Sequence, residues 1–140
     1  MMTGLGPAII IEDDEDDREM LAEIFNSLDV PNVLLFFKEG NAALDYLRNT
    51  TVKPFIIITD INLPGMSGLE LRATMLKEEE LRQKSIPFIF LSTSDGGHIL
   101  KKVYEMQVQG YFQKEQSMQG MKDQLKTIID YWKLCKHPNN

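Results

Sequence analysis

A single cysteine, Cys135, and two histidines, His98 and His137, are all the thiols and imidazoles in the 140 residues. One cysteine excludes an internal disulfide and a cysteine-built metal cage. So few imidazoles argue against a zinc centre or a Ser-His-Asp triad. Basic charge is short as well, with 15 Lys and Arg against 21 Asp and Glu and a net charge of −6. Nucleic-acid binding needs a basic patch, so no nucleic-acid partner is expected. No apolar run approaches the ~20 residues of a membrane-spanning helix. The first residues, Met1–Pro7, lack the positive charge that opens a signal peptide. The expectation is a cytoplasmic chain with no membrane partner. Repeats, low-complexity tracts and Gly/Ser/Pro-rich linkers are missing too. Residues 1–140 are therefore expected to be one domain, with a core of about 8–135 and a frayed tail over 136–140.

Apolar residues are plentiful, at 43%, enough to exclude a disordered segment and to bury a core. They fall in two patterns. Ala8–Ile11, Val33–Phe37, Phe55–Thr59 and Phe88–Leu91 are short and nearly continuous, as parallel strands covered on both faces are. Gly110–Gln113 is a weaker fifth candidate. Between them, apolar residues recur at steps of three and four: Met20, Leu21, Ile24, Phe25 and Leu28; Ala42, Ala43, Tyr46 and Leu47; Leu69, Leu71, Met75 and Leu76; Leu100, Val103 and Met106; Met121, Leu125, Ile128, Ile129 and Trp132. Asp14, Ser67 and Ser117 are candidate helix starts. Strand and helix alternate five times, which predicts an α/β fold with a parallel sheet between two helical layers. In such sheets the functional site lies outside the carboxyl ends of the strands.

The residues at those ends are therefore the informative ones. Six acids, Glu12–Asp17, follow the first strand. Helix-dipole stabilisation of a solvated first turn accounts for Glu15, Asp16 and Asp17. It accounts less well for Glu12 and Asp13, which sit where the chain leaves the core and repel one another. The third strand ends in Asp60. Asp13 and Asp60 at neighbouring strand ends offer hard oxygen ligands of the kind Mg²⁺ takes. The Pro64-Gly65 turn keeps the loop backbone close, so the Asn62 carbonyl is a further candidate ligand. Ser92 ends the fourth strand, with Ser94 or Asp95 as the cap of the next helix. Lys114 ends the fifth and faces the acids. Carboxylates, Mg²⁺, a hydroxyl and an ammonium are the parts for handling a phosphoryl group, with an aspartate as nucleophile.

The segments Ile9-Ile10-Ile11-Glu12-Asp13-Asp14, Ile58 to Gly68, Phe90-Leu91-Ser92-Thr93 and Gly110-Tyr111-Phe112-Gln113-Lys114, in this order, resemble the response-regulator receiver domain, the phosphoacceptor of two-component signalling. The resemblance spans about Ala8 to Ile129. It implies a flavodoxin-like, doubly wound (βα)5 fold with strand order 2-1-3-4-5. It also implies that Asp60 is the phosphoacceptor, that Asp13, Asp60 and the Asn62 backbone carbonyl bind Mg²⁺, and that Glu12 acts on the metal through water. Ser92 and Tyr111 are then the switch residues and Lys114 holds a phosphoryl oxygen. The implied partners are a histidine kinase or phosphotransfer protein and a downstream protein. The face made by the fourth helix, fifth strand and fifth helix carries the output and leaves room for a homodimer. Kinase recognition is expected around the first helix and nearby loops, with Asp16, Asp17 and Met20 as candidates against an ordinary helix surface, and Leu21 read as a core residue. The chain is then no enzyme beyond phosphorylating and dephosphorylating itself.

Two positions depart from the family pattern. Glu115 stands where a cis-proline is usual, adding a negative charge beside an anion site. Gln107 stands where glycine is frequent after the fourth helix, and a left-handed residue there is less favourable. Three competing readings remain. A phosphorylation-independent binding module is one. An aspartate-nucleophile phosphohydrolase is the second, weakened because Asn62 replaces the acid that chemistry needs two residues after the nucleophile. A flavin-binding protein is the third, weakened because acids replace a hydroxyl-rich phosphate loop.

Overall fold

The computed structural model describes residues 6–136. Residues 1–5 of the uncharged opening, and 137–140 of the tail expected to fray, lie outside the described residues. The elements run β1 (Ala8–Ile11), α1 (Glu15–Ser27), β2 (Leu34–Phe37), α2 (Gly40–Asn49), β3 (Ile56–Thr59), α3 (Gly68–Lys77), α4 (Glu79–Gln83), β4 (Phe88–Ser92), α5 (Leu100–Glu105), β5 (Gly110–Gln113) and α6 (Met118–Leu134), with a 3-10 turn at Gly97–Ile99 leading into α5. The strands pair in parallel in the order β2-β1-β3-β4-β5, the order the receiver resemblance implies. The fourth and fifth helical segments read from the sequence are α5 and α6.

Side chains alternate between the faces of a strand, and the core divides accordingly. Ile9, Ile11, Ile57, Phe88 and Phe90 pack with Ala43, Leu44 and Leu47 of α2, Leu71 and Met75 of α3 and Val103 of α5. Ala8, Ile10, Ile56, Ile58, Ile89 and Leu91 pack on the other face with Leu21, Ile24 and Phe25 of α1 and Met121, Leu125, Ile128 and Ile129 of α6. Residues on both faces of β1, β3 and β4 are buried, which is why those segments read as unbroken apolar runs.

The helix starts at Asp14, Ser67 and Ser117 are confirmed. Asp14 accepts from the Asp17 amide at 2.8 Å, Ser67 forms a reciprocal capping box with Glu70, and Ser117 accepts from the Gly120 amide at 2.9 Å. Three expectations need correction. Val33 is 66% exposed and outside β2, whose residues are only half-buried because the strand lies at the sheet edge. The five-residue α4 has no counterpart in the sequence reading, for Leu81 is its one buried side chain. Ser94 and Asp95 do not cap α5. They accept from the Gly96 amide at 3.1 Å and the Gly97 amide at 2.9 Å, so they close the turns ahead of the helix.

Gln107 does adopt the left-handed conformation, with φ of 60°. Arg72 offsets the strain, donating from Nε to the Met106 carbonyl at 3.0 Å and from Nη2 to the Gln107 carbonyl at 2.6 Å. A non-glycine residue there still carries a steric cost. Gln107→Gly is expected to stabilise the fold by ~0.5–1 kcal/mol, measured as a higher midpoint in urea with an unchanged slope.

Candidate functional site

Register places the acids together. Ile11 of β1 lies beside Thr59 of β3, and the Asp60 amide donates to the Ile11 carbonyl at 3.2 Å. The residues just beyond both strands, Glu12, Asp13 and Asp60, therefore emerge on one edge of the sheet. On the other side of β3, the Lys114 amide donates to the Ser92 carbonyl at 2.7 Å, fixing where β5 ends. The Lys114 side chain crosses back to the acids. Its Nζ lies 2.6 Å from Glu12 Oε1, 3.0 Å from Asp17 Oδ2 and 3.5 Å from Asp60 Oδ2. The side chains of Lys114 and Glu12 are 7% and 3% exposed, against 11% for Asp60 and 31% for Asp17.

Burial raises the Glu12 pKa and outweighs the hydrogen bond and field of Lys114, and the Asp60 charge adds to the rise. Burial works against the Lys114 ammonium too. Hydrogen bonds to Glu12 and Asp17 and the fields of Glu12 and Asp60 more than reverse that, so its pKa lies above the ordinary lysine value. Three carboxylates thus share one buried cation, and the cluster stays negative.

Asp17 is the member that sequence reasoning does not reach. A solvated first turn accounts for it there, yet in the fold it sits on Lys114. Its position three residues after the Asp14 cap, in the helical turn leaving β1, is the available signal. Asp16 is exposed, Met20 half-buried and Leu21 buried in the core. The burial of Leu21 agrees with its reading as a core residue of α1.

Asp13 is exposed, and its side chain makes no hydrogen bond or ion pair among the described residues; Arg18 Nη1 instead holds its carbonyl at 3.0 Å. Asp60 Oδ1 accepts from the Asn62 amide at 3.2 Å, which orients the carboxylate and keeps the loop close. Ser92 is fully buried, and its Oγ accepts from the Ser94 amide at 3.3 Å rather than touching Asp60. Tyr111 donates through its hydroxyl to the Ser94 carbonyl at 2.8 Å, while its own amide donates to the Tyr104 hydroxyl at 3.1 Å. Its ring lies beside Gly96, at φ of 90°, where a Cβ would come within 3.4 Å of it. The structure therefore joins Glu12, Asp17, Asp60 and Lys114 directly, and sets Ser92 and Tyr111 along the adjoining loop.

Glu115 does not crowd the acids. Its carboxylate lies over the first turn of α6, where a Cβ on Gly120 would meet its Oε1 at 3.2 Å, and it makes no ion pair with Lys114. The described residues contain no cis peptide bond.

Gly68 also holds the site in place. Its amide donates to the Ile61 carbonyl at 2.8 Å, and a Cβ there would stand 2.5 Å from the Asp60 carbonyl and 2.8 Å from the Phe90 ring. The nearest obstacle is backbone, so it cannot rotate aside. Gly68→Ala is expected to cost about 1–3 kcal/mol, checked by urea unfolding, and to shift the Asp60 resonances in an NMR spectrum.

The donor set suits a hard divalent cation. It consists only of oxygens, and the repulsion among Glu12, Asp17 and Asp60 exceeds what one ammonium cancels. No three acidic, histidine or cysteine side chains among the described residues already form a metal cage; the three clustered acids turn to Lys114. The residues that could hold such an ion are those the receiver resemblance implies, Asp13, Asp60 and the Asn62 carbonyl, with Glu12 behind them.

Comparison with known proteins identifies the family. The response regulator receiver domain matches residues 8–126. A probable methanogenesis regulatory protein, FilR2 of Methanothrix harundinacea, is 28% identical over 89% of this chain and 81% of its own. Response regulator Rcp1 of Synechocystis is 25% identical over 89% of this chain and 86% of its own. The structure of the phosphorylated cyanobacterial phytochrome response regulator RcpA superposes with a TM-score of 0.83, at 26% identity, over 95% of this chain and 99% of that one. The Mn²⁺-bound form of Rcp1 shares the fold, with a TM-score of 0.81 at 24% identity over 94% of this chain and 99% of that one. The chain belongs to the response regulator receiver domain family, the phosphoacceptor signalling modules of two-component systems.

Proposed function

We propose that the chain is a cytoplasmic phosphorylation switch in which Asp60 accepts a phosphoryl group from the phosphohistidine of a partner kinase or phosphotransfer protein. The observation that carries the reading is the Asp60 carboxylate at the end of β3, held by the Asn62 amide and 3.5 Å from the Lys114 ammonium. An Asp60 oxygen attacks phosphorus in line, a P–O bond forms as the P–N bond breaks, and the imidazole leaves. Asp13, Asp60 and the Asn62 carbonyl, with Glu12 behind them, would hold Mg²⁺, which when bound would supply positive charge for the phosphoryl oxygens. Lys114 exchanges part of its hold on Glu12 and Asp17 for a phosphoryl oxygen. The phosphorylated RcpA, 26% identical, supports the same chemistry here.

The output follows from the loop beyond β4. The Ser92 hydroxyl releases the Ser94 amide and turns to the phosphoryl group, which moves the Ser94 carbonyl that holds Tyr111. Tyr111 then rotates and the face of α5, β5 and α6 changes, to be read by a downstream protein or a second copy of the chain. The shift is limited by how much better the active arrangement binds the phosphoryl group.

The test is incubation of the folded chain with acetyl phosphate and Mg²⁺, read by intact-protein mass. One phosphoryl group per chain is expected, with uptake suppressed by a chelator and released by hydroxylamine. A folded, Mg²⁺-saturated chain that takes up none would leave a binding module. Steady release of phosphate from simple phosphoesters would restore the hydrolase reading.

A further inference from the structure

Away from the acids, around the amino ends of β4 and β5, two clefts share Gln109 and Trp132 as a common wall. One, of about 290 Å³, is lined by Arg72, Arg82, Ser85, Gln107 and apolar side chains including Leu76. The other, of about 300 Å³, is lined by Ile89, Phe112, Ile128 and Tyr131. Each volume stands at the low end of the roughly 300–1,000 Å³ typical of small-molecule sites. Among the described residues, neither cleft has an acidic residue in its walls, in a chain where acids outnumber bases 21 to 15.

Arg72 is the unusual group. It is 8% exposed, and no carboxylate among the described residues pairs with it. Its Nε and Nη2 reach only the backbone carbonyls of Met106 and Gln107, and its guanidinium stacks 5.1 Å from the Phe88 ring centroid. Nη1 makes no hydrogen bond to the described residues and belongs to a side chain that lines the cleft. Burial depresses its pKa with no opposing charge to restore it. A buried cation without a counter-charge is costly. Arg82, exposed and bound through Nη1 to the Leu76 carbonyl at 2.8 Å, places a second cation in the same wall. Beyond Trp132 the surface turns aromatic and aliphatic, with the Trp132 ring braced edge-on by Tyr131 at 5.1 Å.

We propose that these clefts form one binding site for a small aromatic anion, its carboxylate, sulfonate or phosphate on Arg72 and Arg82 and its ring against Trp132. The site shares no lining residue with the phosphoacceptor cluster of Glu12, Asp17, Asp60 and Lys114, so the unphosphorylated chain is able to bind the ligand. Its position against Gln107, where α5 ends, and Gln109, which leads into β5 and accepts from the Phe88 amide at 2.7 Å, puts the ligand behind the α5-β5-α6 face.

Trp132 is the only tryptophan in the chain, so it reports directly. The full chain is titrated with 8-anilinonaphthalene-1-sulfonate, following Trp132 quenching and calorimetric heat. The uncharged analogue N-phenyl-1-naphthylamine serves as control. Saturable one-to-one binding is expected, with the uncharged analogue weaker by about tenfold or more. Arg82→Glu, at an exposed position that leaves the core intact, is expected to weaken the sulfonate by at least as much and to leave the uncharged analogue unchanged. Arg72→Met is expected to do the same, provided circular dichroism shows it folded. Equal affinity for charged and uncharged probes, or an Arg82→Glu variant that binds the sulfonate as before, overturns the proposal. So does a Trp132 signal that changes with chain concentration and no probe, which assigns the cleft to a second copy.

Discussion

Asp60→Asn is expected to reduce phosphoryl uptake from acetyl phosphate from one group per chain to none, while the protein stays folded. The amide is not a nucleophile, and no neighbour replaces it well. Glu12 is buried on Lys114, Asp17 holds the same ammonium from α1, and Asp13 lies exposed. Structurally the change is mild. The Asn62 amide keeps its acceptor, since the carboxamide oxygen can occupy the place of Asp60 Oδ1. The Lys114 ammonium gives up only the longest of its three ion pairs, the one at 3.5 Å. Asp60 also repels Glu12, so removing its charge relieves part of the cluster. Stability should therefore change by no more than ~1 kcal/mol in either direction. Intact mass after donor treatment and a urea melt give both quantities from one preparation. Uptake persisting in the variant would move the acceptor to another acid and undo the assignment of Asp60.

How much of this is legible in the sequence depends on the distance over which the cause acts. β1, β3 and β4 are clear because burial on both faces leaves a local trace, an unbroken run such as Ile9-Ile10-Ile11 or Ile56-Ile57-Ile58. The caps at Asp14, Ser67 and Ser117 are clear because a cap acts within three residues. Val33 misleads because apolarity does not say whether a residue sits inside a sheet or just beyond its edge. α4 is hidden because one buried leucine sets no period. The site splits the same way. Chain order brings out Asp60 and Lys114 as strand-end residues, but the pairing of Lys114 with Asp17 joins residues 97 apart and has no local signature. Side-chain direction is likewise out of reach. The charge of Glu115 is visible, but not that it turns onto α6.

Lys114→Met is expected to lower stability at neutral pH by about 3 kcal/mol or more, the usual result of removing one partner from a buried ion pair. The loss should be large because three acids pair with the ammonium, and the Glu12 side chain is only 3% exposed to solvent. The pH dependence separates this cause from poorer packing. In the parent chain Lys114 has a folded pKa raised above its unfolded 10.5, so its contribution is complete below 10.5 and fades as pH climbs through the folded value. In the variant the two largest influences lowering the Glu12 pKa, the Lys114 hydrogen bond and charge, are gone. Its folded pKa then rises further above the unfolded 4.5, the folded state holds the extra proton, and stability falls as pH rises above 4.5. The deficit should therefore shrink as pH falls toward 4.5, as Glu12 takes up a proton and no longer needs a counter-charge, and grow again as pH rises. Added Mg²⁺ should also restore part of the loss at pH 8 and act more strongly on the variant than on the parent, because the acids freed from the ammonium become available to it. A deficit unchanged from pH 5 to pH 8 and insensitive to Mg²⁺ would mean that Lys114 only fills space.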